Sequence, residues 1–151
     1  RSFYIDSENP EIEVTDPGIT LSKNEKERII FTITDDINGS KIDPDSIKVM
    51  LNGKGYPVET QYDNSTETYT CSFEANSNGT YIIEAADNSE RKATKEYKIE
   101  FFDRIAPQIT GLSITDQTPN HNDWYKDDIN IKVDADDNAE GKDKMRLATP
   151  L

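Results

Sequence analysis

Asn78-Gly79-Thr80-Tyr81-Ile82-Ile83-Glu84-Ala85-Ala86-Asp87-Asn88 is the stretch that decides the fold. Its middle, Thr80 to Ala85, carries an aromatic, two isoleucines and a threonine, side chains that fit a pleated, half-buried surface. Its flanks are turn clusters, Asn76-Ser77-Asn78-Gly79 before it and Asp87-Asn88-Ser89 after it. An apolar run closed at both ends by residues that tolerate tight turns reads as a β-strand.

The same grammar extends in both directions. Upstream, strands are expected at Glu11 to Val14, Ile19 to Leu21, Arg28 to Thr34, Ser46 to Leu51, Tyr56 to Glu59 and Glu67 to Glu74. Downstream, one more is expected at Lys95 to Phe101. Between them stand Pro17-Gly18, the run Asp35 to Ser40, and Asn52-Gly53, all turn formers. Many short strands at close spacing with no 3.6-residue period predict an all-β sandwich or barrel. Helix is nearly absent from this reading; Pro44-Asp45-Ser46 is expected to make one short turn.

An internal repeat sets the domain boundaries. Asp6, Pro10 and Ile12 recur as Asp103, Pro107 and Ile109, each 97 positions on. Asp35-Asp36 recurs more loosely as Asp136-Asp137, 101 positions on. A period of this size is one sandwich domain. Residues 1–8 are read as the tail of a preceding unit, 9–105 as a complete sandwich, and 106–151 as the incomplete start of another. Strands in that last segment are expected at Ile109 to Thr115, Ile129 to Ala135 and Lys144 to Thr149. Three strands do not close a sandwich core, and neither terminus reads as natural, so the expectation is an excised fragment.

Composition bounds the function. The apolar fraction is 33%, well below the roughly 45–50% of average globular chains, but a sandwich has only a thin core to fill. Seventeen basic against 30 acidic residues leave a net charge of −13. Such a chain repels nucleic acid and anionic membrane surfaces. It suits divalent cations, basic partners or plain solubility. The lone cysteine, Cys71, rules out an intrachain disulfide. It stands in phase with Tyr69 and Phe73 and is expected in the core as a small hydrophobe.

Three motifs carry a resemblance. Gly79-Thr80-Tyr81 leading to Asp87-Asn88, the linker Asp103-Arg104-Ile105-Ala106-Pro107, and the stretch Asp123-Trp124-Tyr125 to Ile131 resemble bacterial immunoglobulin-like repeats. Such repeats occur in tandem in surface proteins and large adhesins, and beside catalytic modules of secreted enzymes. The resemblance implies an immunoglobulin-like β-sandwich in an extracellular structural or adhesive module, a stalk or adhesin segment of a bacterial, Gram-positive surface protein. The alternative it implies is a non-catalytic accessory or carbohydrate-binding module of a secreted enzyme. Expected partners are neighbouring repeats of the same chain and a host protein or glycan. Tyr81 then matches the tyrosine that bonds its hydroxyl back to the corner before its strand, with Gly79 giving that corner its backbone freedom.

No catalytic set is assembled by the sequence. The one histidine, His121, has no second histidine and no nearby cysteine, and neither a nucleophile elbow nor a phosphate loop is present. The acidic loops are the stronger candidates. In a sandwich, Asp6, Glu8, Asp35, Asp36 and Asp87 converge at one pole. Asp103, Asp136 and Asp137, with Asp134, converge at the next junction. Carboxylates gathered this way repel one another unless a cation sits among them, and calcium suits such oxygen ligands. The same residues are also ordinary turn formers that bond their own backbone, and both readings stand at this point. Trp124 and Tyr125 are candidate ligand-binding aromatics; Trp124 also fits a role covering the core.

Overall fold

The computed structural model describes residues 7–36, 39–115 and 128–136. The first eight strands run β1 (Glu11–Thr15), β2 (Glu27–Thr34), β3 (Ile42–Leu51), β4 (Lys54–Tyr56), β5 (Val58–Asp63), β6 (Thr68–Ala75), β7 (Gly79–Asp87) and β8 (Lys92–Ile99). They form two four-stranded antiparallel sheets, ordered β1-β2-β6-β5 and β4-β3-β7-β8. Strands β9 (Gln108–Ile114) and β10 (Ile131–Asp136) form a separate antiparallel pair. The chain is therefore all-β among the described residues, in a sandwich-like arrangement.

Alternation builds the core. Ile29, Phe31 and Ile33 face inward from β2, Cys71, Phe73 and Ala75 from β6, and Tyr81, Ile83 and Ala85 from β7. These residues, with Ile12, Val49, Leu51, Ile99 and Phe102, belong to one buried cluster drawn from both sheets. Phe31, Phe73, Tyr56 and Tyr81 form a chain of tilted and edge-on rings at 5.2–6.3 Å. Cys71 is in this cluster, as its phase predicts, and burial pushes its thiol up to about 11.

Two strand readings and one turn reading are corrected. Pro44-Asp45-Ser46 lies inside β3, where the register with β7 shifts between Asp43 and Lys48. The Asp43 carboxylate accepts from the Asp45 amide at 3.0 Å, and the Ser46 hydroxyl donates to the Asp43 and Ala86 carbonyls. A bulge pinned by two side chains replaces the expected helical turn. The segment Tyr56 to Glu59 is not one strand: Pro57 separates β4 from β5, and these belong to different sheets. Proline has no amide to donate to a ladder, so the chain changes sheets there. Ile19 to Leu21 forms no strand; its neighbour Ser22 makes a single parallel bridge to Phe102.

Candidate functional site

The candidate site is the pair of poles through which the chain enters and leaves the sandwich. Glu11 is paired with Thr34 at one end of β1, and Thr15 with Ile30 toward the other. Strand β7 ends at Asp87 beside Ile42, and β8 begins next to it at Lys92. The chain thus enters at the pole that holds Thr34, Asp87 and Lys92. Strand β8 ends at Ile99, opposite Gly79, and so leaves at the far pole. Strands β1 and β8 run in the same direction, one from each sheet.

At the entering pole, Asp35, Asp36 and Asn88 line one cavity of about 250 Å³, together with Lys41, Tyr62, Asn64, Glu67 and Tyr69. Of the carboxylates expected to converge at this pole, Asp35 and Asp36 line this cavity, and Asp87 is not among its lining residues. Hydrogen bonds tie the loops together. The Asn88 amide side chain donates to the Ser40 and Lys41 carbonyls at 2.8 and 3.0 Å, and Lys41 pairs with Glu67 at 3.4 Å. Burial is the main cause that raises Tyr69 above the usual phenol range. Asp87 is in phase with Tyr81, Ile83 and Ala85, so it points inward and is only 2% exposed. Its Oδ1 accepts from the Ser89 and Arg91 amides at 2.7 and 2.9 Å, which closes the β7–β8 turn from inside. Glu8 precedes β1 at this pole and is exposed.

The leaving pole is a clamp. The Ser22 amide donates to the Phe101 carbonyl at 2.7 Å, and the Asp103 amide to the Ser22 carbonyl at 2.9 Å. On the other side, the Asn78 side chain donates to the Phe102 carbonyl at 2.8 Å and accepts from its amide at 2.9 Å. One short segment is gripped from both flanks. Arg104 then folds back, donating to the Asn24, Glu25 and Asn76 carbonyls, with its guanidinium 4.6 Å from the Phe102 ring centre. Ser22 also bonds Glu27, whose carboxylate accepts from Asn24 at 2.7 Å. Beside the clamp, the Tyr81 hydroxyl donates to the Ser77 carbonyl at 3.0 Å. Its ring is fully buried.

Asp103 belongs to this clamp. It is 8% exposed, and its Oδ1 lies 3.3 Å from the Ile105 amide that donates to it. Asp136 ends β10 opposite Gln108, and Asp134 pairs with Lys132 at 2.8 Å. Among the described residues no three carboxylate, histidine or cysteine side chains gather in a way that could hold a metal ion. Asp6, Asp137, Trp124 and Tyr125 lie outside the described residues.

Sequence reasoning misses Ser22, Asn78 and Arg104. Asn78 reads only as a turn former, and its partner, Phe102, lies 24 positions away. Arg104 and Asn24 are 80 positions apart. The repeated Asp103-Arg104-Ile105-Ala106-Pro107 motif marks the place but not the contacts. No family model, curated protein or solved structure matches this chain.

Proposed function

We propose that the chain is an extracellular structural and adhesive segment of a bacterial surface protein, built from immunoglobulin-like sandwiches joined end to end. Lettered in chain order as A, B, C, C′, D, E, F and G, strands β1–β8 give sheets A-B-E-D and C′-C-F-G. This order resembles the sheet order of immunoglobulin domains and supports that reading, as does the parallel bridge between Ser22 and Phe102. The observation that carries the functional reading is that the chain enters the sandwich before Glu11 at one pole and leaves it after Ile99 at the other. A module that takes the chain in at one pole and releases it, clamped, at the other adds length to a rod. One whose ends lay side by side would hang from the rod as a branch.

The clamp suits this role. A tension between the ends pulls β1 and β8 lengthwise, so many ladder bonds bear load together, and the Ser22–Phe102–Asn78 contacts resist peeling at the exit. Catalysis has no part in the reading, because the sequence offers one isolated histidine and no nucleophile with its base. The acidic surface keeps such a rod soluble and free of nucleic acid.

The location is tested on cells that produce the parent protein. Antibody to residues 9–105 should stain intact cells and lose its signal after external protease. Signal seen only after permeabilisation would refute the extracellular assignment.

A further inference from the structure

The β9–β10 hairpin shares no ladder with either sheet of the sandwich. The two are joined by the segment from the end of β8 at Ile99 to the start of β9 at Gln108. A free coil of that length makes a loose hinge. This segment is not free. Phe101, Phe102 and Asp103 are buried, and their backbone groups bond to Ser22 and Asn78. The chain is thus fixed to the sandwich as far as Asp103.

Arg104 carries the hold further. Its Nε donates to the Asn24 carbonyl at 3.1 Å, and its Nη2 to the Glu25 and Asn76 carbonyls at 3.1 and 3.0 Å. Asn24 and Glu25 lie in the loop before β2, and Asn76 in the turn between β6 and β7. One planar, rigid fork therefore ties the exit to two separate loops, above the Phe102 ring. The choice of partners is informative. The sequence has 30 acidic residues, yet these bonds go to backbone carbonyls. A carboxylate would move with its own side chain, whereas a carbonyl is part of the frame. Bonds of this kind fix position more than they neutralise charge. Beyond Arg104 little freedom is left. The Ile105 amide donates to Asp103 Oδ1 at 3.3 Å. Ala106 is confined to extended backbone by the proline that follows it, and Pro107 has its own φ fixed by its ring. No glycine stands between Phe101 and Gly111 to loosen the path.

We infer that Arg104 is the positioning residue of a rigid joint: it sets the direction in which the chain leaves the sandwich, and the β9–β10 hairpin moves with the sandwich as one body. The joint is a matter of backbone restraint and does not depend on the extracellular role proposed above.

The test is backbone-amide NMR relaxation of the full chain. Amides of both sandwich sheets and of β9–β10 should fit one rotational diffusion tensor, with order parameters of about 0.85 at Asp103, Arg104 and Ile105. In Arg104→Ala the order parameters from position 104 to Ala106 should fall below about 0.6. The hairpin should then take a shorter tumbling time of its own, while the amide shifts of β1–β8 away from the exit stay in place. Pro107→Gly leaves the bonds of Arg104 intact and frees the tether beyond it. It should give the hairpin a separate tumbling time while Arg104 keeps its order parameter. Two tumbling times in the parent chain, or a single one retained in Arg104→Ala, overturn the inference. A loss of the sandwich shifts throughout β1–β8 in Arg104→Ala overturns it as well, since Arg104 would then hold the fold rather than the joint.

Discussion

Replacing Tyr81 by Phe removes one hydroxyl and leaves the ring. The ring is fully buried and meets Tyr56 and Phe73 at 5.2 Å each, so Phe keeps the packing. What is lost is the 3.0 Å bond to the Ser77 carbonyl. A bond of this kind contributes about 1 kcal/mol net, and an acceptor left dry costs about 1–3 kcal/mol. Ser77 is only half-buried, so the lower end of that range applies. The expected loss is about 1–1.5 kcal/mol, or about 5–10 °C in Tm for a domain of this size. Urea denaturation measures it, with the slope m unchanged because the exposed area does not alter. Tyr97→Phe is the control: its hydroxyl makes no hydrogen bond among the described residues, and its effect should stay within about 0.5 kcal/mol. A Tyr81→Phe loss no larger than the control's would refute the idea that this bond holds the corner. A loss of several kcal/mol would show that the ring packing had been misjudged.

Gly79 has φ of +145°, and a Cβ there would stand 2.7 Å from Leu51 Cδ1. Gly79→Ala should therefore cost about 1–3 kcal/mol, the usual cost of a side chain forced into such a backbone region, read from the same urea curves. Cys71 should stay unreactive to thiol reagents at neutral pH, because burial pushes it up to about 11; rapid labelling of the native chain would contradict its core position. The folded chain holds the thiol proton more tightly than the unfolded chain, so stability falls as pH rises above about 9 toward 11. Tyr69, Tyr81 and Tyr97, each raised mainly by burial, extend the loss at still higher pH. For the acidic loops, a thermal melt in calcium against chelator, with magnesium as control, decides between the two sequence readings. Asp87 and Asp103 already accept turn amides, so Tm should not move. A calcium-specific rise of about ten degrees, lost in Asp35→Ala, would place a cation at the pole.

Much of the sheet is legible in the sequence because alternation and turn residues are local signals. Arg28 to Thr34 and Glu67 to Glu74 appear as β2 and β6 with shifts of one residue. The bulge at Asp43 is not legible, because it depends on Ser46 reaching the Ala86 carbonyl 40 positions away. The split at Pro57 has a local signal, the missing proline amide, which the apolar residues on either side mask. At the poles, Asp35, Asp36 and Asn88 can be placed by tracing strand direction. The inward turn of Asp87 follows from the phase it shares with Tyr81 and Ile83, a clue that its turn-forming chemistry hides. The clamp is invisible, since Asn78 looks like any turn asparagine until Phe102 is beside it.

The central claim is that tension between the two ends loads the strands lengthwise and meets the exit clamp. The most direct measurement is single-molecule pulling of residues 9–105 in two geometries. One attaches handles at Asn9→Cys and Ile105→Cys, across the poles. The other attaches them at Asn9→Cys and Asp36→Cys, at the same pole, so that β1 peels from β2 one bond at a time. The account predicts a clearly higher unfolding force across the poles, reduced by Asn78→Ala in that geometry and unchanged by it in the other. Equal forces in the two geometries, or an Asn78→Ala variant that resists as well as the parent, would contradict it.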